Sequence, residues 1–239
     1  MTPDAQRLYE VSERTWPAAR RFERGVWTLR DGQGGGKRVS AATARGPVTD
    51  GDIPKAEDAM RDMGQRPLFM LREDEADLDA MLAARGYGVV DPVVIYTLPI
   101  ARLTDKAIPR VTTFAIWEPL AIMRELWAEG GVGPERIAVM ARAETKTAIL
   151  ARWNEKPAGT AFAAVHDRVC MVHAVEVRKV QRRQGVAGWI MRQAAFWGQA
   201  QGAGHLAVLC VADNAGANGL YRAMGFAEAG RYHYRVMPQ

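Results

Sequence analysis

An apolar run, Val169 to Val177, breaks into the basic stretch Arg178-Lys179-Val180-Gln181-Arg182-Arg183. After Gln184, Gly185 and Gly188 open a long helical pattern that lasts to about Gln201. The run has the length of a buried strand, and a strand feeding a helix through a short connection is the unit of α/β folds. The helix start presents unpaired N–H groups and the positive end of the helix dipole, a setting that favours bound phosphate. Gly185 and Ala187 let a bulky anion approach the backbone, and Arg178, Lys179, Arg182 and Arg183 add positive charge. A solvated basic turn has the same composition, so the rest of the chain must decide.

Strand and helix patterns alternate along that rest. A helix is expected over Asp4–Thr15, ended by Trp16-Pro17. Strand-like runs at Gly25–Arg30 and Lys37–Ala42 flank the Gly-rich Asp31–Gly36, which predicts a hairpin turn. Helical patterns at Pro54–Asp62 and Glu73–Arg85 enclose the apolar Pro67–Leu71, and Val89–Pro99 reads as a strand. The polar Ala101–Pro109 is the candidate linker. Beyond it come a strand at Val111–Ile116, helices at Glu118–Ala128 and Glu135–Ala143, and a hairpin, Thr147–Trp153 with Gly159–Val165, turning at Asn154–Pro157. After the long helix come a strand at Leu206–Ala212, a helix at Gly216–Met224 and a strand near Arg231–Met237. The expected organisation is a smaller α/β half over 1–100, a linker over 101–109 and an α/β domain over 110–239.

The two halves share an echo. Met81-Leu82-Ala83-Ala84-Arg85-Gly86-Tyr87, followed by Val93-Val94-Ile95-Tyr96 and Pro99, parallels Leu220-Tyr221-Arg222-Ala223-Met224-Gly225-Phe226, followed by Tyr232-His233-Tyr234-Arg235 and Pro238. Both read helix, Gly-aromatic turn, strand, Pro. Duplication explains this, as does the commonness of such turns.

Composition sets outer bounds. With 239 residues, 48% of them apolar and 25% charged, the chain carries ample material for a packed core. No stretch nears the roughly 18 apolar residues that cross a bilayer, and Asp4, Glu10, Glu13 and Glu23 argue against a secretory leader. Two cysteines, Cys170 and Cys210, both within apolar runs, suit a reducing cytosol. Lys and Arg exceed Asp and Glu by 32 to 27, which suits an anionic partner without naming it.

The segment Arg182-Arg183-Gln184-Gly185-Val186-Ala187 resembles the Arg/Gln-x-x-Gly-x-Gly/Ala block of the GNAT N-acetyltransferase superfamily. Asn214-Ala215-Gly216-Ala217-Asn218-Gly219-Leu220-Tyr221-Arg222-Ala223-Met224-Gly225-Phe226 resembles that superfamily's second block. The resemblance covers about residues 110 to 239. It implies a GNAT acyl-CoA N-acyltransferase fold, α/β (α+β), with a mixed, splayed sheet flanked by helices. The N-terminal half is then a degenerate GNAT-like copy, with Leu82 where Tyr221 stands. It further implies acetyl-CoA as cosubstrate and an amine as acceptor. Val175, Glu176 and Val177 would meet the pantetheine arm, with the Val175 N–H on the thioester carbonyl. Arg182, Arg183, Gln184, Gly185, Val186, Ala187 and Gly188 would wrap the pyrophosphate, and Asn214 would bond the arm. Tyr221 would protonate the departing thiolate; its other reading is a helix aromatic packed on the sheet.

Deprotonating the amine needs a base or a water relay. Strict alternation puts His173 on the face of Val175 and Val177, which makes it the first candidate, as in the arylalkylamine acetyltransferases that this stretch resembles. A core histidine is the plainer reading. Glu176, expected on the opposite face, is second. The ribosomal-protein N-terminal acetyltransferases carry a Glu where this chain has Leu209, a departure from their mechanism.

Other patterns fail. Asp31–Lys37 lacks the residues of a phosphate-binding Walker loop. The four histidines and two cysteines have no metal-ligand spacing, so no metal is expected. The seven tryptophans are scattered, so no nucleic acid is expected, although the pI near 9.4 keeps that reading testable. Trp16-Pro17, Trp27-Thr28-Leu29-Arg30 and Tyr232-His233-Tyr234-Arg235 resemble features of a bacterial acetyltransferase group with an N-terminal extension. The expectation is a cytoplasmic bacterial-type enzyme that transfers acetyl directly. Its N-terminal half would wall the acceptor cleft, or only extend the fold or mediate a homodimer. The alternative is a non-catalytic acyl-CoA-binding regulatory module.

Overall fold

The computed structural model describes residues 2–238. Helix α1 (Ala5–Thr15) is capped by Asp4, whose carboxylate accepts from the Arg7 amide at 2.9 Å. Strands β1 (Arg20–Arg24), β2 (Trp27–Asp31) and β3 (Thr43–Ala44) form a small sheet in that order. The Gly-rich segment is therefore not a hairpin turn. It leads into a 3-10 helix, Lys37–Val39, where a strand is predicted, and β1, unpredicted, is the hairpin partner of β2. The physical reason is contact: Gly35 abuts Val39 and Val139, and a Cβ there would sit 2.5 Å from Val139.

Helix α2 (Ile53–Asp62), β4 (Leu68–Arg72), α3 (Ala76–Ala84) and β5 (Gly88–Pro99) complete the first part. The second holds β6 (Thr113–Ile116), α4 (Ala121–Glu129), α5 (Pro134–Arg142), β7 (Thr145–Trp153), β8 (Lys156–His166), β9 (Val169–Val177), α6 (Val186–Ala200), β10 (His205–Val211), α7 (Ala215–Ala223) and β11 (Ala227–Val236). Eight strands form one mixed sheet, ordered β4-β11-β5-β10-β9-β8-β7-β6. Only β9 and β10 run parallel to a neighbour in it.

That order carries an exchange. Strand β5 lies between β10 and β11, while β11 lies between β5 and β4, so each part's last strand completes the other's edge. One offset, 139 residues, relates α3 to α7. The same offset converts the pair Leu68–Val236 of β4 and β11 into Ala207–Thr97 of β10 and β5. It is also the spacing of the sequence echo.

Helix α6 packs one face of the sheet. Ile190, Met191, Ala194 and Ala195, all fully buried, meet Cys170 and Val172, and each large side chain so placed contributes about 1.5–3 kcal/mol. Gly198 permits the approach, since a Cβ there would lie 2.6 Å from that of Cys170. On the opposite face Trp16, Met123 and Trp127 close over Phe162. Among the described residues no helix is long and apolar enough to cross a membrane.

Candidate active site

The β9–β10 ladder ends at Val172–Val208, while β9 continues to Val177 and β10 to Val211. The strands splay there, and the facing edge of β9 keeps free backbone groups. A bulge at Ala174, whose φ is +47°, marks the departure; opposite it the β8–β9 register shifts between Thr160 and Phe162. The indole of Trp127 donates to the Ala174 carbonyl at 2.8 Å and holds the bulge in place.

The bulge reverses the expected alternation. Val175 and Val177 join Cys170 and Val172 on the α6 face, whereas Ala174 packs on the other face, where the His173 ring meets Trp16 and Phe162. An extra residue therefore puts Glu176, not Val175, on the face of His173. Period-2 reasoning cannot foresee a bulge.

His173 is buried, with both ring nitrogens engaged. Nδ1 accepts from Arg38 at 2.8 Å, and Nε2 donates to the Thr15 hydroxyl at 2.9 Å, which itself donates to the Val11 carbonyl. Burial first, and the Arg38 charge second, hold its pKa well below the ordinary imidazole value. The ring is a neutral clasp between the two parts of the chain.

Glu176 lines two clefts. One, ≈ 230 Å³, runs past Val177, Arg178 and Arg182 beneath the end of α4. The other, ≈ 250 Å³, opens toward Gly36, Arg136 and Tyr232. Burial raises the pKa of its carboxyl, and Arg182 and Arg136 partly offset that.

Below the splay, Gly185 adopts the left-handed region at φ +78° and caps α6 with no side chain on its first amides. A Cβ at Gly185 or Gly188 would meet nothing within 4 Å, so the space before these amides is open. Arg183, Gln184 and Gly185 are exposed, whereas Val186 is buried in the core. The basic stretch divides: Arg178 pairs with Glu129 at 2.8 Å and Arg182 donates back to the Val177 carbonyl, leaving Lys179 and Arg183 toward solvent. The open amides, the free β9 edge and these cations fit a diphosphate-bearing thioester.

Tyr221, on α7, is buried among Tyr96 and Phe226, with ring centroids at 5.9 and 5.7 Å. Its hydroxyl has no protein partner among the described residues and is not sealed from solvent. Burial, then Cys210 and Glu176, raise the phenol's pKa and keep it protonated. Asn214 is the N-cap of α7, accepting from the Ala217 amide at 3.1 Å, which leaves its NH₂ free.

Sequence reasoning missed Tyr96 and Asn218. The Tyr96 hydroxyl donates to Asn218 at 2.9 Å, and Asn218 donates to the carbonyls of Val211, Ala212 and Asn214, fixing the turn that presents Tyr221. The echo marks Tyr96, and Asn218 stands one helical turn past Asn214. Among the described residues no group of three or more His, Cys, Asp or Glu is placed to hold a metal.

A mixed sheet splayed between parallel strands, with an open helix start at the base of the splay, defines an acyltransferase fold. Residues 115–226 match the sequence model of the Acetyltransferase (GNAT) family, a transferase superfamily. Among solved structures the whole chain is similar to a GCN5-related N-acetyltransferase from Kribbella flavida, with TM-score 0.73 and 21% identity over 98% of this chain and 96% of that one. It is similar to a GNAT-family acetyltransferase structure from Novosphingobium aromaticivorans at TM-score 0.60 and 16% identity, covering 92% of each chain. A tandem GNAT protein from the clavulanic acid biosynthesis pathway aligns at TM-score 0.59 and 13% identity, over 89% of this chain and 78% of that one. No curated protein matches.

Proposed function

We propose that the chain is a cytosolic N-acetyltransferase that moves acetyl from acetyl-CoA directly to an amine, and that residues 1–100 are a degenerate GNAT-like half joined to it through 101–109. One observation carries the reading: the splay at Val172–Val208 leads into the open start of α6, with Tyr221 packed in the same core as Val175 and Val177.

Acetyl-CoA supplies the acetyl group and a thiolate leaving group. The amides of Arg183 to Gly188 hold the pyrophosphate, with Arg182 and Arg183 adding charge, and the free NH₂ of Asn214 and the β9 edge at Val175–Val177 hold the arm. The Val175 N–H donates to the thioester carbonyl, whose oxygen gains charge as the amine attacks. Glu176 takes the amine's proton, directly or through one water. As the new C–N bond forms and the C–S bond breaks, Tyr221 donates its proton to the thiolate. His173, bonded at both nitrogens, positions the N-terminal half and moves no proton.

Tyr221→Phe tests the reading. The expected result is a kcat lower by about 10²-fold with CoA affinity unchanged. A wild type that binds CoA yet turns over no amine in a broad panel would instead make it a non-catalytic acyl-CoA-binding module. Glu176→Gln should remove the acidic limb of the pH–rate profile, and His173→Gln should leave it; the reverse outcome restores His173 as base.

A further inference from the structure

The cleft on the far side of Glu176 is built by both parts of the chain. The Gly-rich segment and the turn after it bring Gly36, Lys37 and Arg38 across to the start of α5, opposite Ala174 and Tyr232. Its charges are unequal. Lys37 is satisfied by Asp91 at 2.8 Å, and these two cancel. Arg38 and Arg136 form no ion pair among the described residues.

Arg38 is held in place without a counter-ion, whereas Arg136 is exposed at the rim. The Arg38 guanidinium lies over the Trp16 ring at 5.3 Å and donates to the neutral His173, and its Nε is sealed from solvent with no partner. Arg136 lies along Gly36, where a Cβ would come within 3.5 Å of its Nε. Gly36 itself sits at φ +100°, a conformation that favours glycine, and a Cβ there would make only ordinary contact with the guanidinium. The one unpaired acid in the cleft is Glu176, which acts on the amine. One anchored and one exposed cation lining a cleft of ≈ 250 Å³ disfavour polyamines and lysine-rich peptides, whose second charge has no acid to meet. They favour a second, negative group on the acceptor, and a guanidinium fork matches a carboxylate or a phosphate.

We propose that the acceptor is a small primary amine that also carries an anionic group, its amine at Glu176 and its anion at Arg38 and Arg136. This rests on the acetyltransferase reading and narrows its substrate class.

The test pairs amines that differ only in the anion: an α-amino acid and an aminoalkyl phosphate, each against the same amine with that group removed. Binding is read by calorimetry on the full chain with CoA present, and turnover by thiol release. The expected result is a kcat/KM and an affinity at least ten-fold higher for the anionic member of a pair. Arg136→Gln should bring that ratio toward one, and Arg136→Lys should keep most of it. The carboxylate and phosphate arms show which anion the cleft prefers. Equal or better use of the uncharged amine, or a ratio untouched by Arg136→Gln, overturns the proposal. Failure of the wild type to bind CoA overturns the acetyltransferase reading instead, and the amine-binding arm without CoA still decides the anion preference.

Discussion

Strand–helix–strand units β4–α3–β5 and β10–α7–β11 share a backbone and a register but not a chemistry. In the second, the helix carries Tyr221 beneath a splay that opens onto α6; in the first, Leu82 takes that place and is fully buried. The helix start differs likewise. Gly185 leaves the first amides of α6 bare, whereas Thr49 and Asp52 cap the turn before α2 with their own side chains, and the Thr49 hydroxyl leads the bonds that lower the Asp52 carboxyl to about 2. An anion at the α2 start would meet Asp50 and Asp52; at the α6 start it meets Arg183. A notch of ≈ 670 Å³ lies beside β3 and β4, lined by Thr43, Arg45, Arg72 and Leu78 among others. Geometry is thus cheap to keep, and a handful of side chains decides whether it does chemistry.

The strand exchange gives the largest test of this comparison. A fragment of residues 110–239 lacks β5, so β10 and β11 lose their common neighbour and Tyr221 loses the Tyr96 ring. We expect no cooperative thermal transition by circular dichroism. A fragment that melts cooperatively and binds CoA would show the exchange to be dispensable.

Next comes the helix start. Gly185→Glu puts a branched, charged residue at φ +78° and a carboxylate before the open amides. Acetyl-CoA affinity should fall at least 100-fold in calorimetry, with the far-ultraviolet spectrum retained. Gly51→Glu, in the turn before α2 and equally open to solvent, should leave that affinity unchanged. Equal effects would mean that the two starts do not differ as argued.

The crossed strands also differ in how they are pinned. On one side Arg235 of β11 reaches Asp79 of α3 at 2.8 Å, with His233 on the same carboxylate; 139 residues away, Tyr96 of β5 reaches Asn218 of α7. The Arg235 hydrogen bond is the main cause that lowers Asp79 to about 2. A depressed carboxylate stabilises the fold above its unfolded value of 3.8, and that contribution is lost as pH falls from there toward 2. Asp79→Asn, which leaves the mostly buried Arg235 uncompensated, should cost about 1–3 kcal/mol in urea unfolding at pH 7. It should also flatten the stability curve between those pH values.

The sequence reveals these units unevenly. Helix α6, the hairpin β7–β8 and the Gly-aromatic turns were legible because periodicity and turn chemistry are local. The echo even carries the offset that the sheet register obeys. Three things were not legible. The path of the Gly-rich segment is set by contacts with Val139 and Arg136, at least 100 residues on. The exchange of β5 and β11 depends on which edge each strand finds, which composition does not encode. The bulge at Ala174 moves Glu176 to the face of His173, a place that strict alternation gives to Val175.

His173 supplies the smallest effect and the finest distinction between the two parts. It follows the last paired residue of the β9–β10 ladder, as Thr43 follows Ala42 and its bridge to Phe69, and each bonds an arginine of the N-terminal part: His173 to Arg38, Thr43 to Arg30. A threonine does not titrate near neutrality; a histidine does. Because burial holds the folded pKa of His173 well below 6.5, the unfolded chain binds the extra proton first. Stability is therefore full above 6.5 and declines as pH falls below it, by on the order of 1 kcal/mol per pH unit for this one group. Urea unfolding at pH 7.5 and 5.5 should show that loss in the wild type and a smaller one in His173→Gln. Both proteins should keep the same acidic limb in their rate profiles, since the base proposed above is Glu176. A loss of stability that His173→Gln leaves unchanged would mean that the ring is already protonated in the fold, and the clasp between the two parts would then need a counter-ion that the structure does not place there.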